Sequence, residues 1–356
     1  MNDSNEIPKP TQFDVPQVIV VDDAVAKCRL KGARSHRASF WTETARIDVE
    51  LPNRTVKSYF LKASTGDLGM SMIRGEYEGS KTIHKYTPEG IPLPVAWGTY
   101  KTDPNRHFYL CEFMDMIEKL PDVGKFSAML AKLHHDSMVD PDAPQEFGFH
   151  VMTHEGSMYQ DISWCKTWEE MYTRRFRSFV NQERLSQGPS AELDSLLPPF
   201  IEKVIPRLLR PLESHGRSVK PVALHADIWC GNVAINKATG EPAYFDASVF
   251  WGHNECKYFL LLLLSFGART HDFSLDDLGS MATPRYGLSR HWMTEYHKFF
   301  PISAPEEDYE DRNLLYAISG HFCASTLYPE NKKFRKIAIK DVKRLLEKYP
   351  SGYQGE

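Results

Sequence analysis

No apolar run in this sequence is long enough to cross a bilayer. The most apolar stretch, Tyr258 to Phe266, falls far short of the roughly 20 residues that a spanning helix needs and reads as a buried core helix. The six cysteines (Cys28, Cys111, Cys165, Cys230, Cys256 and Cys323) are scattered and form no C-x-x-C pair. That argues against a zinc cage and a disulfide framework, and favours reduced thiols in a cytoplasmic protein. Positive charge is not in excess: the formal net charge is −4, so nucleic acid, whose phosphates call for a basic surface, is not an expected partner. The N-terminal MNDSNEIPKPTQ lacks the apolar core of a signal peptide, and residues 1–15 read as a flexible lead-in. Internal repeats, low-complexity segments and glycine-rich strings are also missing.

What is present is the composition of a soluble globular protein: 356 residues, 42% hydrophobic and 25% charged, enough to bury a sizeable core. Arg46 to Leu51 alternates, with Ile47, Val49 and Leu51 on one face and Arg46, Asp48 and Glu50 on the other, the period of a half-buried strand. Pro52-Asn53-Arg54 is a turn, and Val56 to Lys62 is a second strand of the same hairpin. A helix around Glu76 to Lys85 stops before Pro88 and Gly90. Strands at Val95 to Tyr100 and His107 to Phe113 flank a Thr102-Asp103-Pro104-Asn105 turn. Helical spacing then takes over, at Phe126, Met129, Leu130 and Leu133 and again at Trp164, Trp168, Met171 and Tyr172. Glu192 to Arg210 carries Pro198, Pro199 and Pro206 and reads as a kinked or broken helix. Short apolar strands, Val219 to Leu224 and Ala243 to Phe245, lead into His225 and Asp246, and from Leu260 onward the chain reads as mainly helical. The pattern predicts an α+β, bilobal, protein-kinase-like fold. A small β-rich lobe with one main helix would span 16–112, a linker would lie near Glu112 to Met116, and a larger, mainly helical lobe would span 113–356.

The segment from Leu224 to Ser248, LHADIWCGNVAINKATGEPAYFDAS, carries the chemistry. Phosphoryl transfer asks for a carboxylate that orients and deprotonates the attacking hydroxyl, and for oxygen ligands that hold Mg²⁺ against the ATP phosphates. Asp227, followed five positions later by Asn232, supplies the first and part of the second from one loop; Asp246, ending a short apolar strand, supplies the other ligand. Mg²⁺ suits such sparse ligation, its octahedron completed by phosphates and water. Any one of these residues could be a turn or a strand cap, and it is the combined spacing that points to a kinase. Upstream, Lys62 closes the strand SYFLK as the candidate phosphate-reaching lysine, and Glu76 is placed to hold it, with Glu78 as the other choice. Alone, the two would be an ordinary solvated pair. Lys31 to Ser39 could cover phosphates through backbone N–H groups with Ser35 and Ser39, or be a plain basic loop. In the linker, Glu112, Phe113 and Met114 are expected to offer backbone hydrogen bonds to adenine.

At these residues the chain resembles the fructosamine/ketosamine-3-kinase family. VALHADIWCGN is similar to a stretch ending in the family's "HGDLWxGN", YFDASVFWGHNE to its "DPAxYYGHxE", FSAMLAKLHHDS to its "FGxxLAxLHxxS", and GEYEG to its "GExxGL". The likeness runs from about Ser35 to Lys348. It implies an ATP- and Mg²⁺-dependent enzyme that phosphorylates the C3 hydroxyl of sugar–amine adducts on proteins or small amines. It further implies Asp227 as base, Asn232 and Asp246 as metal ligands, and Lys62 and Glu76 as the ATP clamp. Trp229 would be a platform for the sugar adduct or a packing residue, and His253 and Glu255 would lie on the substrate side, although a structural histidine fits His253 as well.

Three departures stand out. Ala226 replaces the motif's glycine, Ala247 replaces the proline after the metal aspartate, and Lys257 stands where the family has an acidic residue that accepts hydrogen bonds from the catalytic loop. They leave room for two other readings: a related kinase acting on another hydroxylated or amino compound, and a weakly active ATP-binding pseudokinase.

Overall fold

The alternation along Arg46 to Leu51 shapes the first half of the chain. In the computed structural model, which describes residues 29–38, 42–229, 231–257 and 290–355, an antiparallel five-stranded sheet is ordered β1-β2-β3-β5-β4. Its strands are β1 (Arg29–Ala38), β2 (Glu43–Glu50), β3 (Val56–Thr65), β4 (Pro94–Thr99) and β5 (Arg106–Glu112). Ile47 and Val49 join Tyr59, Leu61, Ala63, Phe108 and Leu110 in one buried cluster. Because side chains alternate across a sheet, Phe60 and Lys62 turn to the opposite face. There the helix α1 (Gly66–Tyr86) packs through Ile73 against Tyr109, Cys111 and Phe60.

Two glycines set how closely α1 can lie on its support. Gly75 and Gly79 are four residues apart and share a helix face. A Cβ on Gly75 would sit 2.5 Å from the Met152 carbonyl oxygen, and one on Gly79 would sit 3.0 Å from a Val249 methyl. The helix that carries Glu76 therefore rests its backbone directly on two segments of the second half.

Beyond Glu112 the chain crosses through 113–115 to β6 (Met116–Ile117), which pairs with β10 (Val233–Asn236); β10 also pairs with β11 (Pro242–Tyr244). Two further pairs are β7 (His154–Glu155) with β8 (Met158–Tyr159), and β9 (Val222–Leu224) with β12 (Phe250–Gly252). The α-helices of the described second half are α2 (Val123–Val139), α3 (Trp168–Gln187), α4 (Ala191–Pro199), α5 (Ile205–Leu209), α6 (Arg290–His297), α7 (Tyr309–Leu327) and α8 (Lys333–Lys348). Trp168, Tyr172 and Phe176 of α3 and Leu315, Ile318 and Phe322 of α7 are fully buried in the main core. Among the described residues no helix is long and apolar enough to cross a membrane.

Two local expectations are corrected. Most of Lys31 to Ser39 is strand, with Ser35 opposite Ala45 in the β1–β2 ladder; an edge strand needs a backbone partner rather than an apolar face, so it left no alternation to read. The helix expected from Trp164 begins at Trp168, because Thr167 caps it by accepting a hydrogen bond from the Glu170 N–H at 3.3 Å. The expected interruption of Glu192 to Arg210 is present: the α-helix ends at Pro199. A π-helical turn, Phe200–Val204, absorbs the missing donors and carries α4 into α5. Residues 1–15, Ser39, Cys28, Cys230 and the Tyr258 to Phe266 run lie outside the described residues.

Gly75→Ala separates the two opposing effects at this contact. In an open helix the change would stabilise by about 0.5–1 kcal/mol, but a Cβ 2.5 Å from a carbonyl oxygen forces a shift, and overpacking costs about 1–3 kcal/mol. A net loss is expected in urea unfolding. A variant as stable as the parent would show that α1 does not rest on residues 152–153.

Candidate active site

The loop after β9 is organised by a histidine. Burial pulls the His225 pKa down to about 4, so the ring is neutral near pH 7. Its Nε2 lies 3.0 Å from the Phe245 carbonyl oxygen and donates to it; Nδ1 then accepts from the Asp227 N–H at 3.3 Å. One ring thus joins the base loop to the residue before Asp246. The Ser248 N–H closes the tie by donating to the His225 carbonyl at 2.9 Å. Ala226 and Asp246 both have left-handed backbones, φ 59° and 57°. For an alanine this costs about 1–2 kcal/mol, which explains why a glycine suits the position.

Asn232 donates its Nδ2 to the Asp227 carbonyl and to Asp227 Oδ2, each at 2.9 Å. That leaves the Asn232 side-chain oxygen for a cation and Asp227 Oδ1 without a hydrogen-bond partner. Across the cleft, Lys62 donates to Glu76 Oε1 and Oε2 at 2.8 and 2.7 Å and to Asp246 Oδ1 at 2.6 Å. The lysine side chain is 8% exposed and that of Asp246 45%. A buried amide oxygen and an open carboxylate are a fitting donor set for Mg²⁺.

The charges follow from this packing. Desolvation pushes Glu76 up to about 7 against the pull of Lys62, with Asp246 adding to the rise. Desolvation also works to raise Asp246, but the charge and hydrogen bond of Lys62 outweigh it and hold the carboxyl below its ordinary value. Asp227 is pushed well up, first by burial and then by the charges of Glu155 and Asp246, while Asn232 and Lys62 oppose the rise.

The structure thus brings together Lys62, Glu76, Asp227, Asn232 and Asp246. Glu78 points away, with His150 3.5 Å from it. Trp229 is half-buried with its ring over Gly231, where a Cβ would come within 2.3 Å of it. The linker expectation is corrected in part: the Glu112 and Phe113 N–H groups are already bonded to the Leu93 and Ser58 carbonyls. The Met114 N–H takes no acceptor among the described residues. The substrate-side placement of His253 and Glu255 is also corrected. His253 is fully buried between Tyr316 Oη at 2.9 Å and Ser303 Oγ at 2.8 Å. Glu255 pairs with Arg312 at 2.8 Å, both side chains 0% exposed, and accepts from the Ser303 N–H. Both residues serve the core. Ser35 belongs to β1 rather than to a loop, and its side chain, like that of Lys257, lies outside the described part.

Sequence reading missed a buried polar network behind the site. Arg175 of α3 donates Nε to Gln160 at 2.5 Å and Nη2 to Glu155. Gln160 in turn donates to the Ser248 carbonyl at 3.1 Å, to Ser248 Oγ at 2.9 Å and to Thr153 Oγ1 at 3.1 Å. These are isolated polar residues in loops and on one helix, with no spacing to mark them. An arginine among the apolar positions of α3 was the one available signal.

A family model described as fructosamine kinase matches residues 41–275. A chloroplastic protein-ribulosamine 3-kinase of Oryza sativa subsp. japonica is 29% identical over 216 residues, 60% of this chain. The match spans 59% of the rice protein, less than two thirds of its length. Among solved structures, a candidate fructosamine-3-kinase of Thermobifida fusca superposes with a TM-score of 0.65 at 16% identity, covering 90% of this chain and 95% of its own. An aminoglycoside phosphotransferase in a ternary complex with AMP-PNP and hygromycin B gives 0.54 at 11%, covering 89% and 94%. At these identities the likeness establishes the protein-kinase-like fold.

His154, on β7 beside this network, gives a pH test. Burial lowers its pKa to about 4, against about 6.5 when unfolded. The unfolded chain therefore binds the extra proton between these values. The stability this histidine contributes is complete above pH 6.5 and is lost as pH falls towards 4. His154→Gln should reduce the loss of stability between pH 7 and pH 5 by up to about 2 kcal/mol, read from urea midpoints; an unchanged loss would mean that the ring titrates normally.

Proposed function

Because this chain belongs to the fructosamine kinase family, we propose that it transfers the γ-phosphoryl group of ATP to the C3 hydroxyl of ketosamines, ribulosamine or fructosamine adducts on proteins or small amines. The observation that carries the reading is the free Oδ1 of Asp227, held in place through Asn232 opposite the Lys62–Glu76–Asp246 cluster. Asp227 accepts the proton of the attacking hydroxyl, its carboxyl raised by burial and by neighbouring charges. Lys62 orients the phosphates and Glu76 keeps it extended. Asn232 and Asp246 would hold Mg²⁺, which neutralises phosphate charge when bound. ATP would lie between the sheet half (16–112) and the helical half (113–356), with adenine against the linker at Met114. Trp229 forms a wall for the sugar. The free thiols Cys111, Cys165, Cys256 and Cys323 suit a reducing compartment, the cytoplasm.

The test is phosphate transfer from labelled ATP with Mg²⁺ to a ribulosamine, a fructosamine and the parent sugars. Transfer to the ketosamines is expected, and transfer to plain sugars alone would sink the substrate assignment. Asp227→Asn should lower kcat by about 10²–10⁴-fold, and Lys62→Met by about 10²-fold, both with unchanged circular dichroism. Wild-type turnover in either variant would remove that residue from its role.

A further inference from the structure

The Asp246 carboxylate is carried by a strained piece of backbone. Its φ of 57° lies in the left-handed region, uncommon for any residue but glycine. Such a conformation persists only where the surroundings over-determine it. On the N-terminal side the Phe245 N–H donates to the Asn232 carbonyl at 3.1 Å, and the Phe245 carbonyl accepts from His225 at 3.0 Å. On the C-terminal side the hold falls to Ser248, which is 2% exposed. Every polar atom of this serine is engaged. Its N–H donates to the His225 carbonyl at 2.9 Å, and its carbonyl accepts from Gln160 Nε2 at 3.1 Å and from Thr153 Oγ1 at 3.3 Å. Its Oγ accepts from Gln160 Nε2 at 2.9 Å and donates to the His154 carbonyl.

The Gln160 amide has one workable orientation. Arg175 Nε can only donate, so the atom it meets at 2.5 Å is the amide oxygen, and the amide nitrogen is turned towards Ser248. Arg175 is held in turn by the Phe179 and Phe250 rings, whose centroids lie 4.4 and 5.2 Å from the guanidinium carbon. A buried relay thus runs from α3 through Gln160 to a hydroxyl two residues from Asp246.

The sequence of this turn gives the relay a purpose. Where the motif quoted above has Asp-Pro-Ala, this chain has Asp246-Ala247-Ser248. A proline fixes φ at its own position, and alanine leaves it free. An alanine at 248 would lack the hydroxyl, and with it both Oγ bonds. The Ala247 N–H takes no acceptor among the described residues, so hydrogen bonding does not call for alanine over proline there. Stiffness is missing at one position and an anchor is added at the next.

We propose that Ser248 is the positioning residue of the Asp246 carboxylate: its Oγ, held by Gln160 and Arg175, fixes the turn that a proline at 247 would otherwise stiffen. The inference rests on the reading of Asp246 as a Mg²⁺ ligand and names what keeps that ligand in place.

The experiment titrates AMP-PNP calorimetrically, with Mg²⁺ or with EDTA in its place, into wild type, Ser248→Ala and the double variant Ala247→Pro/Ser248→Ala. Wild type should bind more tightly with Mg²⁺. Ser248→Ala should weaken the Mg²⁺-dependent binding about tenfold, the loss of one well-placed hydrogen bond, and leave binding in EDTA unchanged. The added proline should restore the Mg²⁺-dependent affinity. Equal weakening in both conditions would make Ser248 a general structural residue and overturn the proposal, as would a double variant no better than Ser248→Ala. Should the single variant fail to fold, the double variant decides: the proposal requires it to fold and to bind as wild type does. If wild type binds equally well in Mg²⁺ and EDTA, the metal reading of Asp246 falls and this proposal with it; Mg²⁺-dependent binding that survives intact in Ser248→Ala removes this proposal alone. No acceptor enters the assay, so its outcome is independent of the ketosamine assignment.

Discussion

The Lys62 ammonium is the point on which the two halves of the molecule are registered. It is carried by β3, clasped by Glu76 from α1 and bound by Asp246 from the helical half. A buried ammonium is tolerable only when paired, so burying it commits both carboxylates to fixed places. Two carboxylates crowd one ammonium, and burial together with that crowding pushes Glu76 up to about 7. A cleft so crowded with acidic groups suits the divalent cation proposed above to enter with ATP.

The backbone contacts of α1 make this registration rigid. Gly75 and Gly79 bracket Glu76 and let the helix touch 152–153 and 247–249, so the glutamate is set by close packing rather than by its own side-chain rotamers. The His225 ring does the same for the loops, fixing the Asp227 amide and the Phe245 carbonyl with its two nitrogens. Arg175 extends the arrangement, reaching Ser248 through Gln160 and holding Glu155. Glu76 and Asp246 are each held by a group from another element, as a site that relies on positioning requires.

Much of this was readable beforehand, and what was not has a physical cause. The alternation of β2 and the placing of Lys62 on the face opposite Leu61 follow from a period of two, and Asp227, Asn232 and Asp246 share one short segment whose spacing the chemistry constrains. Strand β1 was missed because an edge strand is held by backbone pairing, which no side-chain pattern reports. His253 and Glu255 were placed on the substrate side by motif position, whereas their partners, Tyr316, Ser303 and Arg312, lie some fifty to sixty residues away in sequence. Contacts of that range leave no trace in local pattern. The same reason hid Glu155, Gln160 and Arg175.

The Glu255–Arg312 pair also bears on how this sequence can change over time. Both side chains are wholly buried and every oxygen of the carboxylate is used. Removing one partner of such a pair strands the other charge in the interior at about 3–5 kcal/mol, a large share of the about 5–15 kcal/mol by which a protein of this kind is stable. Single substitutions at either position are thus steep steps downhill, while a joint replacement by apolar residues of similar volume would be nearly level. The two positions are expected to drift together or not at all. Sequence variation in this part of the helical half would then fall on surface positions.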